Sequence, residues 1–219
     1  MTTIHLVRHG EVDNPDGILY GRLPNFGLTE RGHEMARRVG EHFAAAAVTP
    51  VELVASPLLR AQQTIDPLHQ RLQLPVFTDD RVIEAANSFE GQKVNARRMA
   101  EPRNLVRLYN PLTPSWGEPY KQIVLRMQAA MASLRAKLAK HGPEAEGVIV
   151  SHQHPIWMTR LAGEQRSLVH DPRKRECDLA SITSFTFESS TLVSVSYESI
   201  CADLQPKQAV SGAGMPAIH

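Results

Sequence analysis

The sequence predicts an α/β fold: three α/β/α layers around a mostly parallel, doubly wound sheet. A helical or loop insertion follows the third strand, and a strand pair lies near the C-terminus. Three observations carry this. Short apolar runs alternate with longer segments of helical periodicity. Several of those runs end abruptly in polar, chemistry-bearing residues. Two late runs, 180–187 and 191–198, are separated only by Glu188-Ser189-Ser190, as in a hairpin.

Residues 3–8 read as a buried strand. Residues 29–47 read as a helix, with Thr29 as N-cap and Met35, Ala36, Val39 and Phe43 on one face. A short strand at 51–56 leads into Ser56-Pro57, a helix-start signature. That helix carries Pro67 in its interior, so a kink or break is expected near Asp66. Residues 74–79 form the third strand. The proline- and arginine-containing stretch at about 86–117 reads as an inserted, cap-like segment. The longest helix should span about 119–141 and end at Gly142-Pro143. An apolar strand at 147–152 precedes a helix from about Pro155. Residues 1–203 are expected to form a single domain, with a poorly ordered tail over 204–219.

Composition narrows the function. The 219 residues carry a formal charge of +1, which argues against a nucleic-acid binder and makes any basic site local. No apolar run is long enough for a membrane span, and no secretory leader is evident, so a cytoplasmic protein is expected. Cys177 and Cys201 lack metal-ligand spacing and read as inert thiols.

In an open parallel sheet, ligands bind beyond the carboxyl ends of the strands. Strand 3–8 ends in Arg8-His9-Gly10, strand 51–55 runs into Ser56 and on to Arg60, and strand 147–151 ends in His152. If these strands are neighbours, Arg8, His9, Arg60 and His152 converge. Four cationic-capable groups in one place call for an anion. Arginine's planar fork matches phosphate oxygens, and one histidine can be a nucleophile while the others hold the phosphoryl group. Gly10, without a side chain, would let the backbone approach that phosphate.

These residues resemble the histidine phosphatase superfamily, also called phosphoglycerate mutase-like. Arg8-His9-Gly10-Glu11 is similar to its opening motif, and Leu28-Thr29-Glu30-Arg31-Gly32 to its first helix start. Ser56-Pro57-Leu58-Leu59-Arg60-Ala61-Gln62-Gln63-Thr64 resembles its next signature, and Val150-Ser151-His152 the segment with its second histidine. The resemblance implies that His9 becomes the phosphohistidine while Arg8, Arg60 and His152 complete the phosphate pocket. It also implies a proton-donating glutamate. Val82-Ile83-Glu84…Phe89-Glu90-Gly91 fits that pattern, which makes Glu84 the candidate and Glu90 its rival. Substrate contacts are implied for Arg8, Gly10, Asn14, Gly21, Arg60, His152 and Gln153. Asn14 stands one position early, Gly117-Glu118-Pro119 replaces a usual Gly-Glu-Ser, and Gln153 stands where glycine is usual.

The remaining features are weighed more plainly. His152 and His154 form an HxH pair, but no third ligand has sensible spacing, so neither a metal nor another cofactor is expected. His154 reads as a wall residue. Tyr20 and Trp116 read as packing. Lys93, Arg97, Arg98, Arg103 and Arg107, with Glu101, either cap the pocket or form a solvated face; the solvated face is favoured. The expected function is a phosphatase for a small phosphorylated metabolite, with phosphoglycerate mutase as runner-up and a non-catalytic phospho-ligand binder third. The expected partner is that small molecule, with neither nucleic acid nor membrane. The hairpin edge could pair with a second copy of the chain as a homodimer.

Overall fold

The computed structural model describes residues 1–47, 49–93 and 117–206. In chain order come β1 (Thr2–Arg8), α1 (Glu30–Ala44), β2 (Glu52–Ala55), α2 (Leu59–Leu72) and β3 (Val76–Thr78). A 3-10 turn at Asp80–Val82 follows, then α3 (Tyr120–Leu138), β4 (Glu146–Ser151), α4 (Gln153–Gly163), β5 (Ile182–Glu188) and β6 (Thr191–Glu198). The strands form one sheet in the order β3-β2-β4-β1-β5-β6. The first four of that order run parallel, β5 is antiparallel to β1, and β6 closes the expected hairpin.

Both faces of the sheet are covered, which is why β4 is a continuous apolar run rather than an alternating one. Val148 and Val150 point to one face and pack with Val39, Phe43, Ile65 and Leu68 of α1 and α2. Ile149 points to the other and packs with Ile123, Met127 and Trp157 of α3 and α4. Those packed layers fix the ends of β2, β4 and β1 side by side. Among the described residues, no helix is long and apolar enough to cross a membrane.

Several local expectations change. α2 begins at Leu59, and its N-cap Leu58 makes no side-chain capping bond. Ser56 lies two residues before that cap; its hydroxyl accepts from the Leu58 amide at 3.4 Å and meets His152 Nε2 at 2.7 Å. Pro67 does not end the helix, which continues to Leu72 and stops at Gln73 in the left-handed conformation, φ 54°. Gly40 of α1 lies against that proline; a Cβ there would sit 3.2 Å from the Pro67 carbonyl carbon. α4 starts two residues earlier than expected, which places Pro155 in the first turn, where a missing amide costs nothing. Of the expected insertion, residues 94–116 lie outside the described residues, as do 207–219 of the expected tail. Asn87 and Gly117, which flank 94–116, pair in an isolated antiparallel bridge.

The loop after β1 is tied to the start of α1. Thr29 Oγ1 accepts from the Gly32 amide at 2.9 Å and donates to Glu11 Oε2 at 2.7 Å. Arg31 Nε donates to the same carboxylate oxygen at 2.9 Å. A Cβ on Gly32 would lie 2.1 Å from the Glu11 carbonyl oxygen, a contact that backbone cannot relieve by rotating a side chain. In an open helix, alanine is better than glycine by about 1 kcal/mol. Here Gly32→Ala should instead destabilise by about 1–3 kcal/mol, as overpacking does. Urea unfolding checks this, and a raised midpoint would contradict the contact.

Candidate active site

The pocket forms where three neighbouring parallel strands end. Arg8 is the last residue of β1, and the His9 amide donates to the Ser151 carbonyl at 3.1 Å. His152 follows β4 directly, and Ser56 follows β2 with its amide on the Val150 carbonyl at 3.0 Å. Arg60 comes from the first turn of α2. The structure therefore brings together all four cationic-capable residues. They are deeply buried: Arg60 and His152 are 0% exposed, His9 2% and Arg8 5%.

Each is held at one edge and left open at another. Arg8 Nη1 donates to the Cys177 carbonyl at 2.6 Å, and Arg60 Nη2 to the Gly21 carbonyl at 2.6 Å. The Tyr20 ring lies 4.7 Å beneath the Arg60 guanidinium, a cation–π contact. Thr64 ties the parts together: its hydroxyl accepts from the Gly10 amide at 3.1 Å and donates to the Arg60 carbonyl at 2.7 Å. Yet Arg8 Nε, Arg60 Nε and Nη1, and His152 Nδ1 are buried with no hydrogen-bond partner. An unmet buried donor costs about 1–3 kcal/mol, so the three arginine nitrogens call for a ligand rich in acceptors.

The two histidines divide the work by their partners. His9 Nδ1 lies 2.8 Å from the Gly10 carbonyl, which can only accept, so the proton sits on Nδ1 and Nε2 carries a lone pair. The Ser56 hydroxyl meets His152 Nε2 at 2.7 Å, and the other ring nitrogen, Nδ1, is the unpartnered edge. The rings are 5.2 Å apart. Burial, then Arg60 and Arg8, hold the His9 pKa well below the ordinary imidazole value. Burial, Arg60 and His9 do the same to His152. Both are neutral imidazoles at neutral pH in the free pocket.

Glu84 moves the opposite way. Burial raises its pKa, against the lowering pull of the Ala85 amide and of Arg60 and Arg8. A carboxyl biased toward its protonated form beside a phosphate pocket suits a proton donor. Glu90 has a different task. Its Oε1 accepts from the Arg22 amide at 3.1 Å and lies 3.3 Å from the Asn87 amide, so it knits the loop. The Glu84 backbone is fixed by Arg22, whose Nε donates to the Glu84 carbonyl at 2.7 Å. Glu118 in turn clamps Arg22 at 2.9 Å and Arg126 at 2.8 Å. Arg22, Glu118 and Thr64 received no role in the sequence reading, and Ser56 was read only as a helix start. Ser56 and Thr64 lay inside a recognised motif, and Glu118 in the segment where a usual Gly-Glu-Ser is replaced.

Other candidates sit elsewhere or serve the framework. Asn14 spends both ends of its amide on the Ile18 backbone, at 2.9 and 3.2 Å. Gly10 is required by α1: a Cβ on it would be 2.6 Å from the Gly32 carbonyl oxygen. Gly21, at φ +40°, supplies the carbonyl that holds Arg60. Gln153 opens α4 next to His152. His154 packs edge-on to Tyr120, with ring centres 5.5 Å apart. Among the described residues no group of three or more His, Cys, Asp or Glu could hold a metal ion. Cys177 and Cys201 are buried thiols, each pushed up by burial to about 11. Lys93 lies 3.8 Å from Asp16, both exposed. Arg97, Arg98, Glu101, Arg103, Arg107 and Trp116 lie outside the described residues.

The chain matches known proteins over most of its length. Residues 4–199 match the histidine phosphatase superfamily (branch 1). An uncharacterised protein of Mycobacterium tuberculosis is 48% identical over 198 residues, covering 90% of this chain and 95% of its own. The solved structure of Bacillus stearothermophilus YhfR has a TM-score of 0.71 at 23% identity, covering 88% of this chain and 95% of that one. A mycobacterial glucosyl-3-phosphoglycerate phosphatase has a TM-score of 0.68 at 24% identity, covering 84% and 89%.

The histidine assignments are measurable. At pH 6.5 a free imidazole is half protonated, but burial and the two arginines disfavour the charged ring. In phosphate-free buffer at that pH, the 15N shifts of His9 should report a neutral ring with its proton on Nδ1. A half-protonated average would contradict the assignment.

Proposed function

The chain belongs to the histidine phosphatase superfamily, and from that premise we propose that it hydrolyses a small phosphorylated metabolite through a phosphohistidine on His9. The observation that carries this is the set of buried nitrogens without partners, Arg8 Nε, Arg60 Nε and Nη1, and His152 Nδ1, on the residues gathered with His9, whose Nε2 carries a lone pair.

The chemistry follows from the donors. The phosphoryl oxygens of a monoester take the place of the missing acceptors, and the charge that spreads over them in the transition state is met by two arginines. His9 Nε2 attacks phosphorus as the bond to the ester oxygen breaks. Nδ1–H, bonded to the Gly10 carbonyl, stabilises the positive charge that forms on the ring. Glu84, biased toward its acid form, gives its proton to the departing alkoxide. The resulting carboxylate then takes a proton from the water that attacks phospho-His9. This releases inorganic phosphate and restores both groups.

A neighbour of the same fold is a glucosyl-3-phosphoglycerate phosphatase, which supports water as the acceptor. The test follows phosphate release from a panel of phosphate esters, alongside isomerisation of phosphoglycerate. The proposal expects phosphate release, lost in His9→Ala. Isomerisation without release would instead mark a mutase, and wild-type turnover by His9→Ala would remove the nucleophile assignment. Glu84→Gln should slow alkyl esters by about 10²–10⁴, the usual reach of general acid catalysis. It should slow p-nitrophenyl phosphate, whose leaving group needs little protonation, far less. Equal slowing of both would contradict the acid role.

A further inference from the structure

Three stretches of chain leave the phosphate pocket and meet again beside it. His154 follows His152 by two residues in the first turn of α4. Arg175 precedes Cys177 by two residues, and the Cys177 carbonyl holds Arg8. Arg175 has extended backbone, φ −74° and ψ 116°, so two residues span only about 6–7 Å. Tyr120 opens α3 two residues after Glu118, the clamp on Arg22 beneath Glu84. The three converge around His170. Arg175 Nε donates to His170 Nε2 at 2.9 Å, while His170 Nδ1 donates to the Leu168 carbonyl at 2.8 Å. The His170 ring is 5.9 Å from Tyr120 and 6.4 Å from His154.

Arg175 is unusual among the arginines packed around the site. Arg22, Arg126 and Arg160 all meet carboxylates within 2.9 Å. Arg175 is half-buried, and among the described residues its one hydrogen bond goes to a neutral imidazole and no carboxylate pairs with it. Burial lowers its pKa, and Glu84, its strongest charged neighbour, opposes that effect. Arg8 also acts on it, so its charge is felt in the pocket. His154 Nε2 is buried without a partner in the same cluster. A guanidinium taken partly out of water without a counterion is costly unless an anion arrives.

Building on the phosphatase reading, we propose that Arg175, His154 and Tyr120 form a second subsite beside the phosphate pocket, which receives an anionic group on the leaving portion of the substrate. His170 is the positioning residue: it fixes the Nε edge of Arg175 and leaves the two Nη groups for the ligand. A carboxylate and a second phosphate both match that fork. The substrate class is therefore a phosphomonoester that carries a further negative charge on its alcohol part, rather than a neutral alkyl or sugar phosphate.

The test is calorimetric binding of three non-hydrolysable phosphonates: propylphosphonate, 3-carboxypropylphosphonate and propane-1,3-diyl bisphosphonate. The wild-type protein should bind one or both acidic ligands at least roughly tenfold more tightly than propylphosphonate, the scale of one charge-assisted contact. Whichever acidic ligand gains more identifies the oxyanion. Arg175→Gln should erase that preference and weaken propylphosphonate binding far less than it weakens the acidic ligands. Arg175→Lys, which keeps the charge without the fork, should retain part of it, so the result does not rest on a single variant. Equal affinity of the wild type for all three overturns the subsite. So does an Arg175→Gln protein that loses all three alike. No wild-type binding even of propylphosphonate overturns the phosphate pocket itself, and the subsite with it.

Discussion

Everything at this site depends on burying two arginines against two histidines with no carboxylate to pair them. Among the described residues, neither Arg8 nor Arg60 meets an acid within ion-pair distance, and both are almost wholly enclosed. Water cannot solvate them, and the protein satisfies only one edge of each, with the Cys177 and Gly21 carbonyls. The sheet makes this arrangement tolerable. Apolar layers on both faces clamp β1, β2 and β4, so the ends that bear the charges cannot relax apart. On the proposed function, the unmet donors form a mould for an oxyanion, oriented before it arrives.

The same burial sorts the proton chemistry. Removing a site from water disfavours whichever form is charged, so it holds the imidazoles neutral and pushes Glu84 toward its acid form. The nearby arginines deepen the effect on the histidines and oppose it on the carboxyl. The opposite shifts of the imidazoles and of the Glu84 carboxyl thus arise from one cause. Hydrogen bonding adds the detail that burial cannot: the Gly10 carbonyl fixes the His9 proton on Nδ1, and Ser56 occupies Nε2 of His152.

The sheet, its hairpin and the four pocket residues were legible because each is written locally. An apolar run followed by Arg8-His9, or by His152, records a strand and its tip in adjacent letters. Arg60 was legible through the motif around it. Roles that depend on partners distant in sequence were not. Ser56 looked like a helix cap, yet it is claimed by His152, a residue 96 positions away. Arg22 and Glu118, also 96 positions apart, meet only after folding. Asn14 carried the letter expected of a phosphate contact, but the Ile18 backbone satisfies both ends of its amide. Pro67 predicted an interruption, yet the helix runs through it to Leu72, with Gly40 of α1 packed against it. Arg175 drew no notice because a lone arginine in a basic loop, Arg173-Lys174-Arg175, has no local signature.

The central claim is that His9, not its neighbour, takes the phosphoryl group. Rapid-quench mixing with a labelled phosphate ester, followed by peptide mapping under alkaline conditions that preserve phosphohistidine, tests it most directly. The account predicts a transient label on His9, at Nε2, that forms before free phosphate appears and decays as phosphate is released. Label on His152 or on Glu84, or phosphate release with no labelled protein during a single turnover, would contradict it.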